Sequence, residues 1–245
     1  MAAHSSPRLE TPAPAGIYRA GYPFTAEELQ VMTNEGVLRY MLADVYAEAG
    51  LKDTSACRAL AAGALLNQTL RRRGVICGEA AAWVHLGHLK PPGRTAVIAS
   101  GTYRKPTAAT GRWQVHQVQL ATSEIQQLGR IRVTTPDRTV VDLFTGVGLD
   151  GSPMARPLDT VLDRAQHPTP QLLDWPLAGG DYQQLKTRLA LISRLLENWS
   201  QAHTVAELAE RITQQLCRRG WDDRREICVR DILAQCVSRR LPTVR

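Results

Sequence analysis

Residues 74–87 read GVICGEAAAWVHLG, and they restrict the fold more than any other stretch of the chain. Val75, Ile76 and Cys77 are too few for a helix and suit a short buried strand. Gly78 interrupts them, and residues 79–86 then carry a helical period. Ala80, Trp83, Val84 and Gly87 fall at i, i+3, i+4 and i+7, on one face. Glu79 lies in the first turn, where a carboxylate meets the positive end of the helix dipole. The three alanines let another element approach closely, and Trp83 supplies bulk. The stretch is first of all a packing unit.

Strand and helix signals mix on either side of it. Residues 24–34 predict a helix with Thr25 and Glu28 in capping-box spacing, ended by Gly36. Residues 37–49 fit either a helix or two short strands turning at Ala43-Asp44. Their β-branched and aromatic content favours the strands. Asp53 or Thr54 opens a long helix over 54–71, with Cys57, Leu60, Ala61, Ala64 and Leu65 inward. It ends in Arg71, Arg72 and Arg73 before Gly74, an order that suits a helix C-terminus.

Residues 95–99 and 131–134 read as strands. Residues 113–120 alternate and then change phase near His116, which predicts a bulge. Residues 123–128 read as a short helix or turn. Pro136 opens a helix over 136–145, capped by Thr134 or Thr135, with Val140, Val141 and Phe144 buried. Beyond the Gly- and Pro-rich stretch 146–157 only helices are predicted, over 158–166, 182–199, 204–216 and 222–238, with a broken connection at 168–180. The fold class expected is α+β: a small mixed core at 51–150, a shorter module at 21–50, and a helical segment at 151–245. Residues 1–20, rich in Ala, Pro and Ser, are expected to form a disordered tail.

Composition narrows the function classes. The 245-residue chain carries a net charge of +7 with a pI near 9.5, which favours an acidic partner such as nucleic acid. Its five cysteines are odd in number, with no C-x-x-C pair. This argues against a disulfide framework or zinc finger and for a reducing compartment, with the cytoplasm as the default. The longest apolar run, 59–66, is far short of the ~20 residues that span a bilayer, so no membrane contact is expected. The N-terminus lacks the apolar run of a secretory signal.

Sites of catalysis are hard to assemble. His85 and His88 are neighbours without further ligands, and no metal or cofactor motif is present. Glu79 and Asp142 could form a carboxylate pair, but no third group joins them. Arg138 and Asp142 lie four apart and suit a helical ion pair. Basic residues are more informative. Arg39, Arg71, Arg72, Arg73 and Arg112, with Arg104 and Lys105 of a basic stretch at 101–111, are the candidates for nucleic-acid contact. Residues 211–245 hold nine arginines, of which Arg218, Arg219, Arg224 and Arg225 are candidates for binding an acidic partner.

Four segments in order carry a resemblance: GVLRYMLADVYAEAG from Gly36, CRALAAGALL from Cys57, GVICGEAAAWVHLG from Gly74, and IRVTTPDRTVVDL from Ile131. Together they resemble the AbiEi-like antitoxin family of type IV toxin–antitoxin systems, over about residues 24–145. Glu79, Trp83, Arg138 and Asp142 fall within its motifs. The resemblance implies a non-enzymatic protein that binds its own promoter through an N-terminal winged helix and neutralises a nucleotidyltransferase-like toxin. Only one helix precedes Val37, so the winged helix is expected to be shortened. The alternative is a protein-interaction module that recognises an acidic partner through its Arg-rich C-terminus, without binding DNA.

Overall fold

The computed structural model describes residues 16–21, 23–87, 90–99, 111–149, 180–199, 204–220 and 223–238. The helix expected at 158–166, the connection at 168–180 except Gly180, the basic stretch at 101–111 except Gly111, and residues 1–15 lie outside the described residues.

The chain opens with a small module. Strand β1 (Ile17–Arg19) is followed by α1 (Ala26–Asn34), β2 (Leu38–Leu42) and β3 (Val45–Glu48). The three strands form an antiparallel sheet in the order β1-β3-β2. The capping box is present: Thr25 Oγ1 accepts from Glu28 N–H, and Glu28 Oε2 accepts from Thr25 N–H at 2.8 Å. Strands, not a helix, follow α1, and Ala43 turns between them with φ at 49°. Period-two alternation divides the sheet. Leu38 and Tyr46 pack with Leu29 of α1, while Ile17, Met41, Val45 and Ala47 join the main core behind. Strand β1 lies inside the stretch expected to be a disordered tail. Three residues are too few to show a period, and it is pairing with β3 that orders them.

Two helices replace the one expected over 54–71: α2 (Ser55–Ala64) and α3 (Gln68–Arg73). Asn67 makes the break. Its side chain accepts from Leu70 N–H at 2.9 Å, offering the backbone a cap in place of a continued helix. Strand β4 (Val75–Ile76) and α4 (Gly78–Leu86) then follow as expected.

A second sheet of five strands has the order β6-β5-β4-β8-β7. It contains β5 (Thr95–Ile98), β6 (Trp113–His116), β7 (Ile125–Leu128) and β8 (Ile131–Thr134). Strand β4 runs antiparallel to β5 and parallel to β8, and β7 and β8 form a hairpin through Gly129-Arg130. Residues 125–128 are thus a strand where a short helix or turn was expected; only Thr122–Glu124 is helical, as one 3-10 turn. Strand β6 stops at His116, where the change of phase begins.

Helix α5 (Pro136–Thr145) starts at the expected proline, with Thr135 at the cap position. Neither threonine caps through its hydroxyl. Thr134 Oγ1 is shared with Thr139 Oγ1 at 2.8 Å, and Thr135 Oγ1 has no partner. Three further helices are described: α6 (Gly180–Trp199), α7 (Val205–Cys217) and α8 (Asp223–Ser238). Thr204 and Glu207 form the expected capping box of α7. With eight helices and two sheets among the described residues, the fold is α+β. No described helix is long and apolar enough to cross a membrane.

Helix α4 stands between two apolar cores. Ala80, Ala81, Trp83 and Val84 belong to the core of the sheets and α2, whereas Ala82 belongs to the core of α5–α8. It is therefore buried on nearly all sides and does not present a single inward face, as a helix must when apolar residues surround it. Its N-terminus meets the chain after α5 at backbone distance. A Cβ on Gly78, whose φ is +59°, would sit 2.4 Å from the Gly148 carbonyl oxygen and 2.5 Å from that of Val147. Gly78→Ala is expected to destabilise the fold by about 2–4 kcal/mol through strain and overlap. Urea denaturation measures this, and an unchanged midpoint would refute the close approach.

Candidate functional site: a buried charged junction and a divided set of arginines

Asp142 on α5 is fully buried, and so is Arg138 one turn earlier. Arg138 Nε donates to Asp142 Oδ1 at 2.9 Å, and Nη2 lies 2.6 Å from the same oxygen. The other carboxylate oxygen of Asp142 accepts from Gly78 N–H at 3.4 Å, and Glu79 N–H donates to the Gly148 carbonyl. Helix α4 has no side-chain cap of its own, so α5 and the turn after it satisfy its first free donors. Burial pushes the Asp142 carboxyl up to about 6, and Arg138 opposes that rise.

The network extends into α7 and its C-terminal turn. Glu124 accepts from Arg138 Nη1 at 3.4 Å and from Arg219 Nη2 at 3.1 Å. Burial and the like charge of Arg138 lower the Arg219 pKa, while Glu124 and Asp142 oppose this. Asp137 Oδ2 accepts from Gln215 Nε2 at 2.8 Å and from Arg211 Nη2 at 3.4 Å. Arg211 also lies 5.1 Å over the Trp199 ring. Buried Arg188 of α6 is pushed down to about 10 by desolvation, with Glu79 opposing. Asp142 is thus paired with Arg138, and the charge of Glu79 acts on Arg188.

A second group of arginines satisfies helix ends. Arg58 is buried, with Nε donating to the Val84 carbonyl at 2.9 Å and Nη1 to Asp53 at 2.9 Å, so it closes the C-terminus of α4. Arg71 donates to the carbonyls of Gly63 and Leu66, each at 3.1 Å, and closes α2. Arg132 of β8 donates to the Arg72 carbonyl at 2.6 Å, at the end of α3. Reading the sequence passed over Arg58 and Arg132, because only the packed fold brings these carbonyls to them.

Among the expected nucleic-acid contacts, Arg71 is therefore a helix cap. Arg39 is half-buried against Met41, Cys57 and the Leu51 carbonyl. Arg112 pairs with Asp44 at 3.6 Å. Arg72 and Arg73 remain exposed. Arg104 and Lys105 lie outside the described residues. Of the expected partner-binding set, Arg219 is engaged by Glu124, and Arg218 is exposed at the end of α7. The side chains of Arg224 and Arg225 lie outside the described residues. Trp83 is buried in the core as expected. His85 Nε2 lies 2.7 Å from the Thr134 carbonyl and must donate to it, while burial lowers its pKa. His88 lies outside the described residues, and no cluster of metal-ligating side chains occurs among the described residues.

Charge along the chain is uneven. Residues 53–149 hold twelve Arg and Lys against five Asp and Glu, a surplus equal to that of the whole chain. Residues 16–52 hold three against five, and residues 204–238 six against six. Four of the five carboxylates of 53–149 lie within ion-pair distance of an arginine: Asp53 of Arg58, Glu124 and Asp142 of Arg138, and Asp137 of Arg211; the charge of the fifth, Glu79, opposes the lowering of the Arg188 pKa.

The junction is testable by comparing a broken ion pair with an apolar replacement of the whole pair. Asp142→Ala leaves a buried guanidinium short of its counter-charge and is expected to cost about 3–5 kcal/mol, whereas Arg138→Met with Asp142→Leu is expected to stay within about 1 kcal/mol of wild type. Urea unfolding of both variants decides it, and equal losses would show that the ion pair does not organise the junction.

No protein-family model and no curated protein sequence matches this chain, so its function has to be argued from its own residues.

Proposed function

We propose that this protein is an AbiEi-like antitoxin or transcriptional regulator that acts in the cytoplasm by binding, to DNA and to a nucleotidyltransferase-like toxin. The observation that carries this is the surplus of seven positive charges in residues 53–149, of which, among the described residues, Arg112 is met by a carboxylate from outside the segment, Asp44. Such a surface attracts a polyanion and releases its counterions. The mutual packing of the segments that carry the resemblance lends support. Helix α2 packs on α4 and on the β2–β3 hairpin, and α4 packs on α5.

The alternative, capture of an acidic protein by the C-terminal arginines, draws less support from the geometry. Arg211, Arg219 and Arg230 are paired with Asp137, Glu124 and the Glu210–Glu226 couple.

Two measurements test the proposal. Affinity for a mixed-sequence duplex should fall as salt rises, with a slope of about −0.9 in log K against log salt per phosphate contacted. A flat response removes DNA binding. Co-expression with a nucleotidyltransferase-like toxin from an adjoining frame should restore growth. Absence of rescue removes the antitoxin role.

A further inference from the structure

The exposed cationic groups of the core are not scattered. Helix α3 ends where β4 begins, and β4 pairs in parallel with β8 through Ile76 and Val133. The end of α3 therefore lies beside the β7–β8 turn, and the bond from Arg132 to the Arg72 carbonyl fixes that neighbourhood. Ile131 and Val133 point inward, so the alternation of the strand turns Arg132 outward, and Arg130 lies in the turn before it. Arg72, Arg73 and Arg130 are exposed. Among the described residues none of these three, nor Arg132, has a carboxylate within ion-pair distance.

The N-terminal module has the opposite character. Its helix carries Glu27 and Glu28 in the first turn and no basic residue in the last. Its two arginines are already used: Arg19 pairs with Asp44, and Arg39 lies against Leu51 and Cys57. A helix of this composition repels a phosphate backbone.

We infer that duplex DNA is held by its phosphates on Arg72 and Arg73 of α3 and Arg130 of the β7–β8 turn, with Arg132 bracing them, and not on the acidic N-terminal module. The site rests on the DNA binding proposed above and adds to it a location that the winged-helix resemblance does not suggest. Guanidinium groups bind phosphate in bidentate fashion. A duplex presents one charge about every 1.7 Å along its axis, dense enough to meet neighbouring arginines together. Contacts of this kind position the protein and read no bases.

The test uses the full chain and a short mixed-sequence duplex across a salt series. Arg72→Gln, Arg73→Gln and Arg130→Gln are combined in one variant; all three side chains are exposed, and thermal melting checks that the fold is kept. A second variant places charge on the exposed side of α1, Gln30→Glu with Asn34→Glu. The arginine variant should lose about 0.9 of salt slope per residue, close to 2.7 in all, while the α1 variant keeps the wild-type slope. A wild-type slope in the arginine variant overturns the assignment and leaves DNA binding standing elsewhere on the chain. A wild-type protein without any slope overturns both. Polyglutamate at equal charge serves as competitor. Failure to displace the duplex supports DNA as the partner, and full displacement overturns that choice.

Discussion

One buried carboxylate organises this protein. Asp142 compensates Arg138 inside the fold and supplies an acceptor to the first N–H of α4. Through Arg138 it reaches Glu124, and through Glu124 it reaches Arg219 beyond α7. The strand–helix unit at 74–87, the helix α5 and the C-terminal helices are therefore tied by one set of charges. In a low-dielectric setting such ties are demanding. Each member needs its partner in place, because an isolated charge there costs several kcal/mol. That requirement aligns α4 and α5 and brings α7 over them, and the second apolar core fills in around this frame.

Arginine has three distinct uses in this fold. Arg138, Arg188 and Arg219 are internal and face carboxylates. Arg58 and Arg71 close the carbonyl ends of α4 and α2. Arg72, Arg73 and Arg130 stand in solvent without a counter-charge among the described residues. The planar, permanently charged guanidinium suits all three uses. Net charge alone therefore overstates the surface available to a partner. The useful quantity is the charge left after internal pairing: among the described residues Arg72, Arg73 and Arg130 keep theirs, whereas Arg211, Arg219 and Arg230 of the C-terminal helices are paired.

Much of the local structure was legible because its causes are local. The capping boxes at Thr25 and Thr204 involve residues three apart, and Pro136 fixes its own φ at the start of α5. The Ala43-Asp44 turn and the strands beside it followed from aromatic and β-branched content. The break at Asn67 was also local: a capping residue stands just after the alanine-rich run that ends at Ala64. Strands β1 and β7 were different. Each is three or four residues long, and each is ordered by a neighbour distant in sequence or across a turn.

The candidate site divides in the same way. By itself the sequence determined the α+β class, the strand–helix unit at 74–87, the Arg138–Asp142 spacing and the excess of positive charge. Only the tertiary structure decided which arginines are free. It alone tied Arg39 and Arg71 to backbone carbonyls, engaged Arg219 with Glu124, and brought Arg132 to the Arg72 carbonyl. The physical reason is that a guanidinium takes whichever carbonyl or carboxylate the packed backbone brings within about 3 Å, and those acceptors come from elements far apart in the chain.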